Sequence, residues 1–281
     1  MEITPSTFDE ADRYWESADR EIRRLLVLHG YGITPGSPRN VNLVFANKTV
    51  SIQIHHMEGV TRSGLFFQIA GDTITLNEPR DKGKECYLVV HSDVDVEQEI
   101  NNTFYRVPHY HYDFCSLREI DDDCLPFAKL IKESDIWKIQ ELYIPPCMTV
   151  GADPELTSIV TNTQVLLEGI KKCLSPKVGN LELLPVILQK MELDNYTMSE
   201  TPSCFFLLLK KISFTLSCLN ISGLNLPLVP QVGLFDSNDV LKCLVPFLEY
   251  IQEYHNVVTH IESAPKKEEP PRHFDVWDAE L

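Results

Sequence analysis

No stretch of this chain approaches the roughly 20 consecutive apolar residues that a membrane span requires. The richest run, residues 204–209, is stopped at once by Lys210-Lys211. Positive charge is scarce as well: 25 Lys and Arg stand against 41 Asp and Glu, a net charge of -16. Nucleic-acid backbones and anionic membrane surfaces would both be repelled, which leaves a partner with basic patches as the fitting one. Met1 is followed by Glu2 and a charged helical pattern instead of an apolar core, so neither a signal peptide nor direct membrane insertion is expected. The eight cysteines (Cys86, Cys115, Cys124, Cys147, Cys173, Cys204, Cys218, Cys243) form no C-x-x-C pair and sit in apolar contexts. They read as reduced, mostly buried thiols of a cytosolic protein. G-x-S-x-G, P-loop, G-x-G-x-x-G and H-E-x-x-H motifs are absent too. No enzyme chemistry and no cofactor is expected.

What is there is an ordinary globular composition, 43% hydrophobic and 23% charged over 281 residues, long enough for one large domain or two modest ones. The period of the pattern changes twice. Thr4, Pro5 and the acidic Asp9, Glu10 and Asp12 announce a helix start. Phe8, Ala11, Trp15, Ala18, Ile22 and Leu25 then recur at spacings of three and four, an apolar stripe that packs on something along one side. Gly30 and Gly32 stop this helix. Period two follows, with strands expected at 41–46, 49–59, 65–69, 73–76, 86–92, 104–112, 115–120, 127–131 and 136–142. Turn signals such as Arg62-Ser63-Gly64 separate them, as in an antiparallel β-sandwich. From Pro154 the period returns to 3.6, with helices at 154–174, 181–194, 201–220 and 238–262 joined by short loops, an antiparallel helical bundle. The fold class is therefore α+β in two parts: domain 1–150, a helix and sandwich; domain 151–263, helical; and 264–281, a polar tail ending FDVWDAEL.

The hinge between the parts is itself specified. Pro145-Pro146 fix two backbone angles and remove two amide donors, giving a stiff exit from the sheet. Asp153 then caps, Pro154 takes the first helical position and Glu155 favours the positive helix start.

Candidate chemistry is thin. His109 and His111, at i and i+2 on a strand with Asp113 beyond, share a face and can meet one ion; with no third ligand in view, an exposed polar face explains them as well. Asp121-Asp122-Asp123 lacks calcium-loop spacing and reads as a solvated turn. Cys147 lacks a His–Asn constellation and reads as structural. Phe205, Phe206, Leu209, Ile212 and Leu216 make one helix apolar around much of its circumference. Both the central core helix of a monomer and an oligomeric bundle satisfy that pattern.

Two passages carry a family resemblance. The opening ITPSTFDEADRY at residues 3–14, followed by YGI at 31–33, resembles the start of the TssK family of type VI secretion baseplate subunits, which begins leucine-x-Pro-Gln-His-Phe and continues with Asp-Arg-Tyr and a helix. Pro5, Phe8, Asp12, Arg13 and Tyr14 match, while Ser6 and Thr7 replace the Gln-His. LPFAKLI at 125–131 and LYIPPCMTVGADPEL at 142–156 resemble the family's passage around Ile-Pro-Pro-Cys. The resemblance implies a trimer with a β-sandwich shoulder, a helical neck and a C-terminal head. In the family the shoulder docks on the wedge of TssF and TssG, and the head contacts the membrane complex.

By that resemblance Pro5, Phe8, Asp12, Arg13, Tyr14 and Trp15 face the wedge, and Phe205, Phe206, Leu209, Ile212 and Leu216 form the homotrimer seam. The chain ends soon after the neck, leaving no room for a head, so a non-standard membrane-complex protein is the expected partner there. The implied role is a structural adaptor of a contractile injection baseplate, cytoplasmic and assembled at the inner face of the bacterial inner membrane. The alternatives are a phage-derived receptor-binding or tail adaptor, and a metal-dependent enzyme using His109, His111 and Asp113.

Overall fold

The computed structural model describes residues 5–26, 30–37, 41–46, 48–79, 83–92, 96–100, 103–107 and 109–260 apart from 220, 222–223 and 232, with backbone only at 5–12, 24–26, 92, 96–100 and 103–107. Thr4 and the tail at 264–281 lie outside the described residues. The chain is a mixed α+β protein. Its helices are α1 (Pro5–Leu26), α2 (Pro154–Leu174), α3 (Asn180–Asp194), α4 (Pro202–Ser217) and α5 (Val240–Thr259). Its strands are β1 (Gly32–Ile33), β2 (Val41–Ala46), β3 (Thr49–Ile54), β4 (Met57–Val60), β5 (Phe66–Ile69), β6 (Asp72–Asn77), β7 (Glu85–Ser92), β8 (Val96–Ile100), β9 (Thr103–Val107), β10 (Tyr110–Cys115), β11 (Cys124–Glu133) and β12 (Ile136–Ile139).

Every ladder is antiparallel. Among the described residues the sheets run β1-β4-β5, β2-β3-β6, β10-β7-β11-β12 and the hairpin β8-β9. Alternation decides which side faces in: Val50, Ile52 and Ile54 of β3 are buried while Ser51 and Gln53 are exposed. Phe67, Ile69, Leu88, Val90, Tyr112, Phe114, Leu125, Phe127 and Leu130 join them in one shared core. The other face of β7 carries Glu85, Tyr87, Val89 and His91, set in register with Cys115, Asp113 and His111 of β10.

Some boundaries differ from the periodicity reading. The expected strand 49–59 is two strands, interrupted at His55-His56, and 104–112 divides between β9 and β10. The expected strand 115–120 is largely a 3-10 turn, Leu117–Glu119, because the Glu119 carboxylate accepts the Ser116 amide at 2.6 Å. That is a Ser-x-x-Glu capping device, which overrides alternation locally. The hairpin strand β8 has no counterpart among the expected strands.

Helices α2 to α5 surround a second core, α2 packing on α3 and α5, and α4 on the same two. The α2 start is as the sequence dictates: Asp153 accepts the Glu155 amide at 2.8 Å, with Pro154 behind it. Thr201 caps α4 through the Cys204 amide. Phe205, Phe206, Leu209, Ile212 and Leu216 lie inside this core, each at most 3% exposed. The expectation that they form a seam between copies is therefore corrected. The chain's own α2, α3 and α5 cover them, and their burial, about 1.5–3 kcal/mol per large side chain, stabilises the single copy.

The two cores meet at the double proline. Ile33 donates its amide to the Pro146 carbonyl at 2.8 Å and its carbonyl accepts from Met148 at 3.0 Å, a parallel bridge between β1 and the chain at Cys147. Gly32 makes this approach possible. Its φ is +122°, and a Cβ there would lie 2.0 Å from the Pro146 oxygen. Gly30 and Gly32 thus do more than end a helix.

Candidate assembly surfaces

The residues between the halves form a polar lock. Lys129, buried on β11, places its Nζ 2.9 Å from the Asp239 carboxylate and 3.2 Å from Glu85. Asp239 also accepts the Lys242 amide and so caps α5. The Tyr143 hydroxyl donates to the Asn238 carbonyl at 3.0 Å. The Tyr31 hydroxyl lies 2.7 Å from Ser237 Oγ and accepts from Arg62 at 2.8 Å, with the guanidinium over the phenol ring. Nothing in local periodicity marked Lys129, except that it is the one charge embedded in the apolar run LPFAKLI.

Helix α1 is held differently. Arg20 donates to Asp123 at 2.6 Å and to Ser63, and Arg23 lies over the Phe66 ring. Asp122 pairs with Arg62, so the acidic trio, exposed as expected of a solvated turn, also carries ion pairs. Of the expected apolar stripe, Trp15 and Ile22 are exposed and Ala18 is half-buried, while the side chains of Ala11 and Leu25 lie outside the described residues; Trp15 stacks edge to face with Tyr14, each 68% exposed. Arg13 is exposed as well, while the side chains of Pro5, Phe8 and Asp12 lie outside the described residues.

A second uncovered face runs along α3 and α4. Leu181, Leu184, Leu188 and Met191 recur at spacings of three, four and three on the side of α3 turned away from Leu183 and Val186. Leu207 and Phe214, two turns apart on the neighbouring α4, complete a surface whose large side chains are between 46 and 86% exposed. Lys211 pairs with Glu192 across the two helices. Periodicity missed this face because the consecutive apolar run at 205–209 drew attention to the buried side of α4.

The histidine segment lies exposed, as the polar-face reading expects. His109, His111 and Asp113 are exposed, and Asp113 accepts the Phe114 amide. His111 instead faces His91 across the ladder, ring centroids 6.3 Å apart, and His91 faces Cys124 on its other side. Burial pushes the Cys124 thiol up to about 12. Cys147 is buried, its Sγ–H directed at the Pro145 carbonyl, and no cysteine among the described residues is in a disulfide. Among the described residues no helix is long and apolar enough to cross a membrane.

These features define a mixed α+β protein of antiparallel sheets and helices, with exposed apolar side chains on α1 and along α3 and α4. Its fold is that of TssK. A crystal structure of TssK matches with TM-score 0.62 at 14% identity, covering 90% of this chain and 67% of that one. TssK of the EAEC type VI secretion system, in complex with nanobody nb18, matches at 0.60 and 11% identity, over 89% of this chain and 68% of that one. A chain of the type VI secretion TssK-TssF-TssG baseplate subcomplex matches at 0.58 and 11% identity, covering 91% of this chain and 96% of its own. No protein-family profile matches the sequence, and no curated protein does.

Proposed function

We propose that this chain is a structural subunit of a type VI secretion baseplate, an adaptor between a TssF–TssG wedge and the membrane-anchoring part of the machine. The observation that carries this reading is the TssK fold over about 90% of the chain, shared with a chain of the TssK-TssF-TssG subcomplex. In this reading residues 1–150 are a β-sandwich shoulder, residues 151–263 an antiparallel helical neck and residues 264–281 a tail. The start of α1, with the motif residues Pro5, Phe8, Asp12, Arg13, Tyr14 and Trp15, faces the wedge, and of these the described side chains of Arg13, Tyr14 and Trp15 are exposed. Exposed aromatics beside an arginine are the composition of an interface core. Three copies associate through the neck, and the role is non-catalytic and cytoplasmic.

Co-purification with TssF and TssG of the same organism tests the reading. The wild-type chain captures both. A Tyr14→Ala/Trp15→Ala double variant loses capture at unchanged thermal midpoint, since exposed substitutions of this kind stay within about 0.5 kcal/mol. Failure of the wild type to capture either protein sinks the baseplate reading. Capture by the double variant at wild-type level sinks the α1 surface alone.

A further inference from the structure

We propose that His91, His111, Cys124 and Asp121 form a structural zinc site on the outer end of the four-stranded sheet. Register builds it. His111, His91 and Cys124 are direct partners across β10, β7 and β11, so their side chains leave the same face in one row. The turn leading into β11 adds Asp121. Ligand atoms of His91, Asp121 and Cys124 already lie within 4.8 Å of one another. A tetrahedral zinc with Zn–N near 2.0 Å and Zn–S near 2.3 Å separates its ligands by about 3.5 Å. Side-chain rotation alone closes that gap, and it brings in His111, whose ring stands beside that of His91.

The donor set selects the ion. One thiolate, two imidazoles and one carboxylate suit zinc, whereas magnesium and calcium take oxygen ligands. Among the described residues neither His91 nor His111 has a hydrogen-bond partner for its ring nitrogens, so a metal displaces nothing there. On binding, the Cys124 Sγ–H, which points at the Asp121 carbonyl at 3.5 Å, gives its proton to solvent and the thiolate takes the ion. The site also reaches α1: Asp121 belongs to the turn whose Asp123 holds Arg20. Zinc therefore fixes the seat of the N-terminal helix.

The experiment uses the full chain carrying Cys204→Ser and Cys218→Ser, which removes the two exposed thiols. Chelator-stripped protein is titrated with zinc by calorimetry and with cobalt by visible absorption. One ion per chain, tetrahedral cobalt bands, a thiolate-to-cobalt transition and a zinc-raised thermal midpoint are expected. Asp121→Asn, at an exposed position that keeps its turn, and His91→Asn should each weaken zinc by more than the ~10–100-fold that an outer-shell loss costs. Cys124→Ser should abolish the thiolate transition. Folded protein that takes up no stoichiometric zinc overturns the proposal. So does binding that Asp121→Asn and His91→Asn leave unchanged, or a thiolate transition that survives Cys124→Ser.

Discussion

Lys129 of β11 and Asp239 at the start of α5 meet at 2.9 Å although 110 residues separate them, and both side chains are at most 10% exposed. The pair joins the sheets to the helices at the point where α5 begins. Removing Lys129 leaves Asp239 buried without its cation, which costs about 3–5 kcal/mol, whereas removing Asp239 leaves Lys129 paired with the half-exposed Glu85 alone. Asp239→Ala also loses the α5 cap, a further ~0.5–2 kcal/mol. Asp239→Asn keeps a capping oxygen and loses only the charge. Urea unfolding should therefore rank Asp239→Ala below Asp239→Asn, and the Lys129→Met/Asp239→Asn double variant should recover most of the loss of either single change. Additive losses in the double variant would mean that the two side chains do not act as a pair.

The same lock sets the response to alkali. Burial opposes the Lys129 charge, yet the hydrogen bond and charge of Asp239 outweigh it and hold the ammonium above its ordinary value. Burial likewise pushes the Tyr143 phenol well above its own. Both groups hold their protons more tightly folded than unfolded. Their contribution is thus complete below about pH 10, the unfolded values, and declines as pH rises above it, by up to about 1.4 kcal/mol per group and pH unit. Urea midpoints should hold to pH 9.5 (roughly) and then fall, and Tyr143→Phe should make that fall shallower. A midpoint that stays flat to about pH 11 would contradict this account.

Gly32 and Gly36 separate two costs of a side chain. Both have positive φ, +122° and +82°, but only at Gly32 does a Cβ meet backbone, the Pro146 carbonyl. Gly36→Ala should cost about 1–2 kcal/mol, the left-handed penalty alone. Gly32→Ala should cost at least ~3 kcal/mol, because β1 must leave the double-proline segment. Hydrogen exchange at Ile33 and Met148, whose amides form that bridge, should accelerate in Gly32→Ala and not in Gly36→Ala. Equal effects would show that the bridge contributes nothing.

What could be read from residues alone follows from the range of each interaction. The Asp153-Pro154-Glu155 start of α2 was legible because a cap and its helix are neighbours. Alternation likewise located β2, β3 and β7. Ser116-x-x-Glu119 was missed because an alternating pattern ran across it. Lys129 with Asp239, and His91 with Cys124, depend on strand register and on the docking of two cores, which no local pattern encodes. For α4 the pattern allowed a core helix or a seam, and burial assigns its Phe205 side to the core.

That assignment moves the oligomer question to the outer side of the same helices. Leu184, Leu188 and Met191 of α3 and Leu207 and Phe214 of α4 form the apolar surface a second copy can cover. Burying such surface is worth about 25 cal/mol per Å², so a few large side chains per copy decide association. Light scattering on a sizing column should give three times the chain mass for the wild type and one chain mass for Leu188→Glu/Phe214→Glu. The circular dichroism of that variant should not change, because both side chains already face solvent in one copy. Leu209→Glu should behave differently and lose the fold, since it places a carboxylate in the helical core. A wild type that runs as one chain, or a trimer that survives both outer substitutions, would exclude this face as the seam.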